Sequence, residues 1–361
     1  MYYSHDRNWG CRISDENVFR GLRTLVMENE LLRISVLLDK GTDIYEFLYK
    51  PLDVDFMWRG PHPLRDPRTF ATTIQREDGN FMDFYFGGWQ EIFPSGGSPH
   101  FTYKGAELGQ HGEVSIVPWS CRIEKDEQDE VAAKMWVRTY RTPFYLEKTL
   151  RLKSGIAALF IEERVVNEGR EDMDFMWGHH PAFGYPFLDP SCRIDVPATR
   201  VFVHEPLYCP TSRLAPGAEF DTFPVIKDKD GNDYDLSIIP PPDVRTSEMC
   251  YLMGLKDGWY ALTNTNRKIG FGMRWDKKMF PVVWLWEVFA GYYGFPWYGR
   301  TYNVALEPFT SYPNGMENAL ARGTVKRIGA GQTIETSLLA TVYENFTRIR
   351  SIADDGTVTG E

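Results

Sequence analysis

Three short segments, far apart in the chain, carry proton-transfer groups beside residues that fix the backbone. They are Gln110-His111-Gly112-Glu113, Gly178-His179-His180-Pro181-Ala182-Phe183-Gly184 and Val304-Ala305-Leu306-Glu307-Pro308-Phe309. Two imidazoles and a carboxylate are the usual tools of general acid–base chemistry near neutral pH. Pro181 fixes its own φ near about −65° and biases His180 toward an extended conformation. Gly178 and Gly184 permit tight backbone geometry on either side. A histidine held this way at a strand end suits a general acid; a satisfied core histidine is the alternative. Glu307 follows an apolar run and precedes Pro308. Burial there raises its pKa toward the range of a useful base, unless it serves a structural ion pair with Arg300. His111 lies between Gly109 and Gly112, where backbone can approach a ligand closely, or it is a surface-loop histidine. His111, Glu113, His180 and Glu307 together are also a donor set that could take a divalent metal.

The densest glycine and aromatic segment is Gly87-Gly88-Trp89-Gln90-Glu91-Ile92-Phe93-Pro94-Ser95-Gly96-Gly97. It lacks the lysine and spacing of a phosphate loop. An aromatic platform at Trp89 beside the Gln90 amide and the Glu91 carboxylate suits a polyhydroxylated ligand with one apolar face. Trp286, in Phe280 to Glu287, and the segment Phe295-Pro296-Trp297-Tyr298-Gly299-Arg300 extend the aromatic theme, although most such rings are expected in the core.

The elements that must position these groups read as strands. Alternation marks Phe144 to Leu152, with Gly155 to Val166 as its returning partner. The same pattern marks Leu22 to Met27, Leu31 to Leu38, a strand after Gly41 through Leu48, Val114 to Val117, Met173 to Trp177, Val325 to Ile328 and Thr333 to Val342. Regular turn signals between short strands indicate a sandwich or barrel. Helical patterns are scarce: Pro67 to Gln75, and one or two turns over Met316 to Ala321. Of 361 residues, 43% are hydrophobic and 15% aromatic, enough for a large β core. The expected organisation is one β domain over residues 1–346 with a polar C-terminal tail over 347–361. A net charge of −10 argues against nucleic acid, which needs a basic stripe. The cysteines are scattered, five in number and without a CxxC pair, so reduced thiols and a cytoplasmic location are expected. The first residues lack the apolar core of a signal peptide, and no apolar run approaches the roughly 20 residues of a membrane helix.

The order His111-Gly112, then Gly178-His179-His180-Pro181-Ala182-Phe183 after Asn167-Glu168-Gly169, then Leu306-Glu307-Pro308 resembles the aldose 1-epimerase (galactose mutarotase-like) superfamily over roughly residues 20 to 345. The resemblance implies an all-β fold, a β-supersandwich of antiparallel sheets. It implies interconversion of the α and β anomers of an aldose by ring opening and reclosure. Glu307 would deprotonate the anomeric hydroxyl, His180 would protonate the ring oxygen, and His111 would hold the ring oxygen or nearby hydroxyls. Trp89, Gln90, Glu91, His179, Arg76 and Trp286 are the candidate sugar-binding residues, with Arg76 the candidate for the family's cleft arginine. The doubled histidine makes the assignment of the acid to His180 rest on the Pro-Ala-Phe that follows it. No cofactor is implied. The implied partner is a small-molecule sugar, and a homodimer is left open. A non-catalytic carbohydrate-binding module, or an isomerase or lyase acting at another carbon of an unusual sugar, would use the same scaffold.

Overall fold

Alternating burial along the strands builds the molecule. In Phe144–Lys153 nearly every second side chain is buried, as a strand with one face on a core requires. The computed structural model describes residues 7–74, 79–97 and 100–361. It is all-β, with two large antiparallel sheets, four two-stranded ones and few helices among the described residues. The larger sheet has twelve strands. Its middle runs Asp43–Tyr49, Trp89–Ile92, Gly178–Gly184, Tyr302–Phe309, Val282–Phe289 and Thr246–Met253. The second sheet has eight strands, with Ile269–Trp275, Thr333–Glu344, Ala158–Asn167 and Phe144–Lys153 at its centre.

The sheets pack through aromatic rings. Phe271 of the smaller sheet meets Phe183 and Phe47 of the larger at centroid distances of 4.9 and 5.1 Å. Ring pairs in this range add to the apolar burial that drives the packing.

Most strand expectations hold to within a residue or two, and Met316–Arg322 is a helix closed by Gly323 at φ 66°. Three expectations are corrected. Residues 67–69 form a turn and 70–74 are irregular instead of helical; the Asp66 side chain accepts from the Arg68 N–H at 2.9 Å and holds that turn. The rest of that predicted helix, Gln75, lies outside the described residues. Val114–Ile116 is a short 3₁₀ turn, not a strand; the Trp119 indole N–H caps the Val114 carbonyl at 3.0 Å. The expected tail folds as a hairpin, Ile349–Ile352 with Val358–Gly360. Ile349 and Ile352 are buried against Trp259, Leu339 and Tyr343, so two apolar residues among polar neighbours suffice to dock it.

One buried pair makes the fold sensitive to pH. Glu248 and Glu287 stand directly opposite one another on adjacent strands, both about 1% exposed. Burial and the neighbouring carboxyl push Glu287 well above the usual carboxylate range, and burial pushes Glu248 up to about 7. A carboxyl whose pKa is raised by folding favours the fold fully below its unfolded pKa of about 4.5, and that contribution is lost as pH rises through about 7. The shift corresponds to about 3 kcal/mol. Glu248→Gln is therefore expected to be more stable relative to the parent at pH 8 than at pH 5, by up to that amount in urea denaturation. An equal stability difference at both pH values would refute the account.

Candidate active site

His180 and Glu307 are brought together by strand register. Gly178 pairs with Phe309 and Ala182 with Ala305, so His180 lies opposite Glu307 between them. His180 Nε2 is 3.5 Å from Glu307 Oε1. The Ala182 N–H points to Gly88 O and the Thr310 N–H to Trp177 O. By alternation, the missing N–H groups of Pro181 and Pro308 would both have faced the seam between these two strands. The ladder bonds flanking His180 and Glu307 are thereby reduced on both sides. Prolines are rare in central strands for this reason, and here two of them bracket the facing pair. Gly178 is required by packing: a Cβ there would sit 2.4 Å from the Phe309 ring.

His111 arrives from a loop. Its φ is 60° and that of Gly112 is 69°. A Cβ on Gly112 would stand 2.2 Å from the Phe93 carbonyl oxygen, so only glycine lets the loop lie this close. The His111 N–H donates to Gly96 O and the Glu113 N–H to Phe93 O, which pins the loop to the end of the Trp89–Ile92 strand. The His111 and His180 rings are 5.3 Å apart, and the Phe81 ring meets His111 edge-on at 4.3 Å.

These three groups line a cavity of about 640 Å³. Around His180 stand Tyr85 and Trp286, at ring distances of 5.3 and 5.5 Å, with Trp297 against both. Farther out are His204, Tyr208, Tyr292 and Phe295. A second groove of about 850 Å³ lies beyond the His111 loop, beside Glu113, Tyr140 and Arg141; it contains neither His180 nor Glu307.

Burial sets the charge state. Glu307 is raised well above the usual carboxylate range by desolvation. His180 is pushed down to about 4 by desolvation, and His111 well below its usual value by desolvation and by His180. At neutral pH both members of the facing pair are thus uncharged, Glu307 as the protonated acid and His180 as the neutral imidazole. The Tyr85 hydroxyl is 3.4 Å from His180 Nδ1. Burial raises its pKa well above the usual phenol value, so it stays protonated; its oxygen accepts from the Nδ1–H, which leaves Nε2 bare to accept the proton of Glu307. Glu307 Oε2 and His111 Nδ1 are buried with no hydrogen-bond partner among the described residues. Two buried polar atoms left unmatched at one cavity are what a hydroxylated ligand would satisfy.

The candidate binding residues divide by face. Side chains alternate along a strand, so the neighbouring histidines point opposite ways. His180 faces the cavity, while His179 faces the smaller sheet. There His179 Nε2 is 3.1 Å from Glu163 Oε2, and its Nδ1 accepts from the Trp89 indole N–H at 3.2 Å. Glu91 faces the same way, bound to Lys148 Nζ at 2.8 Å and the Trp177 indole at 3.1 Å. Trp89, Glu91 and His179 therefore stand between the sheets and not at the cavity. Gln90 shares the His180 face but is tied to Gly87 O and Asp43 Oδ2 at 2.7 and 3.0 Å. Trp286 lines the cavity. Arg76 lies outside the described residues. Arg300 is exposed and does not pair with Glu307. Glu113 accepts from the backbone of Tyr140 and Arg141 and from the Thr142 hydroxyl. Among the described residues, no group of three or more His, Cys, Asp or Glu side chains is placed to hold a metal ion.

Sequence reasoning missed Tyr85, Tyr208 and His204. Tyr85 had a usable signal, since Phe84-Tyr85-Phe86 leads directly into Gly87-Gly88. Tyr208 and His204 had none, because a loop brings them to the cavity from an unrelated part of the chain.

The architecture is that of the galactose mutarotase-like proteins. A "putative aldose 1-epimerase" from Klebsiella pneumoniae superposes with a TM-score of 0.72 at 15% identity, over 93% of this chain and 83% of that one. Galactose mutarotase-like proteins from Clostridium acetobutylicum and Lactobacillus casei give TM-scores of 0.60 and 0.56 at 12% and 16% identity. They cover 93% and 89% of this chain and 99% and 100% of theirs. At these identities the likeness defines the fold. A search of the curated proteins finds no match. The chain belongs to the DUF4432 family, a domain of unknown function whose model matches residues 19–342. Among the described residues no helix is long and apolar enough to cross a membrane.

A stability test follows from the burial of His180. Its folded pKa of about 4 lies below the unfolded value of about 6.5, so the fold favours the neutral ring. That contribution is complete above pH 6.5 and is lost as pH falls through about 4, at a cost of about 3 kcal/mol. His180→Asn is expected to lose less stability than the parent between pH 7 and pH 4. Parallel urea curves showing the same loss in both proteins would contradict the assignment.

Proposed function

We propose that the protein is an aldose 1-epimerase, an isomerase that interconverts the α and β anomers of a free sugar. The observation that carries this reading is the buried carboxyl–imidazole pair, 3.5 Å apart at an aromatic-lined cavity. Mutarotation moves one proton off O1 and one onto the ring oxygen, which is the work such a pair can do.

With a sugar bound, the proton of Glu307 passes to His180, giving a carboxylate and an imidazolium. Glu307 takes the proton of the O1 hydroxyl, the O1 electrons form the C1 carbonyl, and the bond from C1 to the ring oxygen breaks. The ring oxygen takes the proton of His180. The bond between C1 and C2 rotates, and the reverse sequence closes the ring on the other face. Atoms and electrons balance without a cofactor. His111, neutral and unmatched at Nδ1, holds the ring oxygen or a neighbouring hydroxyl. Tyr85 and Trp286 offer apolar faces to the sugar ring.

Positioned acid and base groups contribute on the order of 10²–10⁴-fold each. Glu307→Gln and His180→Asn are therefore expected to slow anomer equilibration by that order, with circular dichroism unchanged. Freshly dissolved single-anomer sugars followed by NMR give the rate. Wild-type rates in either variant would remove the proposal, and binding without acceleration in the parent would leave a carbohydrate-binding module in its place.

A further inference from the structure

The cavity is larger than the proposed reaction requires. A hexose has twelve heavy atoms. At roughly 30 Å³ for each water-sized group it fills at most about 360 Å³, against a cavity of about 640 Å³. The walls form two tiers. The inner tier is Tyr85, Trp286 and Trp297, all buried and packed around His180. The outer tier is Tyr208, Tyr292 and Phe295. The Tyr208 and Tyr292 rings are 5.6 Å apart, and Phe295 is 43% exposed. The Trp286 indole N–H donates to the Tyr208 hydroxyl at 2.5 Å and ties the tiers together.

His204 supplies a polar group to the outer tier. The Asn314 N–H donates to the Tyr251 hydroxyl oxygen at 2.9 Å, and that hydroxyl is 2.8 Å from His204 Nδ1. Tyr251 is fully buried, so its own proton is best used on Nδ1. The imidazole proton of His204 then sits on Nε2, making this cavity-lining ring a hydrogen-bond donor. A second ring-sized volume, aromatic faces to stack on and a fixed donor form one composite site.

We infer that the substrate is a reducing sugar of two rings, with its free anomeric centre at Glu307 and His180 and its second sugar ring in the outer tier. This rests on the mutarotase reading for the reaction but not for the binding. The test measures both dissociation constants, by tryptophan fluorescence, and anomer equilibration rates. The probes are glucose and galactose against cellobiose, maltose, lactose and melibiose. At least one disaccharide is expected to bind and react about tenfold better than the monosaccharide that forms its reducing end. Phe295→Ala and His204→Phe are each expected to lower that disaccharide-to-monosaccharide ratio by about tenfold. Tighter disaccharide binding without turnover would uphold the two-ring site and remove the mutarotase reading. Turnover of monosaccharides with no disaccharide preference would do the reverse. A ratio unmoved in both variants would overturn the outer tier.

Discussion

The structure turns on the burial of a carboxyl against an imidazole at a proline-interrupted seam between two central strands. In a regular antiparallel ladder, residues opposite one another alternate between hydrogen-bonded and non-bonded pairs, and the non-bonded pairs bring their side chains closer. His180 and Glu307 occupy a non-bonded pair. The bonded pairs on either side each contain a proline and can make only one of their two bonds. The same residues that hold the chain extended thus weaken the ladder where the reactive side chains meet. A central location compensates, because the strands are held on their outer edges by Trp89–Ile92 and Val282–Phe289.

The layer beneath makes that compromise stable. On the reverse face of the same strands, His179, Glu163, Glu91, Lys148, Trp89 and Trp177 form a buried polar network between the sheets. Removing one partner of such a network strands the others in low dielectric. The network therefore resists any slip in register. A slip of one residue would exchange His179 for His180 at the cavity and move every neighbour with it. The doubled histidine is in this sense two separate devices, one that fixes the sheet and one that faces the ligand.

The sequence made the strands, their turns and the His111, His180 and Glu307 segments legible, because alternation and proline–glycine punctuation are local signals. It did not reveal which face each residue takes. Trp89 and Glu91 looked like a sugar platform because their residue types suit one. Their placement depends on the parity of the register with Gly178–Gly184, which is a non-local quantity. The docked C-terminal hairpin was hidden for a related reason: its two buried isoleucines match a surface patch made by Trp259, Leu339 and Tyr343 from distant strands. His204 becomes a fixed donor only through Tyr251 and Asn314, from two further segments.

The proton inventory follows from the same burial. Desolvation penalises the charged forms of Glu307 and His180 alike, so the pair rests uncharged, with a single proton between the facing carboxyl oxygen and Nε2. A charged resting pair in this aromatic enclosure would need compensating groups on both sides, and Glu307 Oε2 has none among the described residues. A ligand hydroxyl at Oε2 provides one, and so favours the carboxylate over the acid. Entry of the ligand then shifts the shared proton toward His180, and the site acquires its reactive charge distribution only when there is something to react.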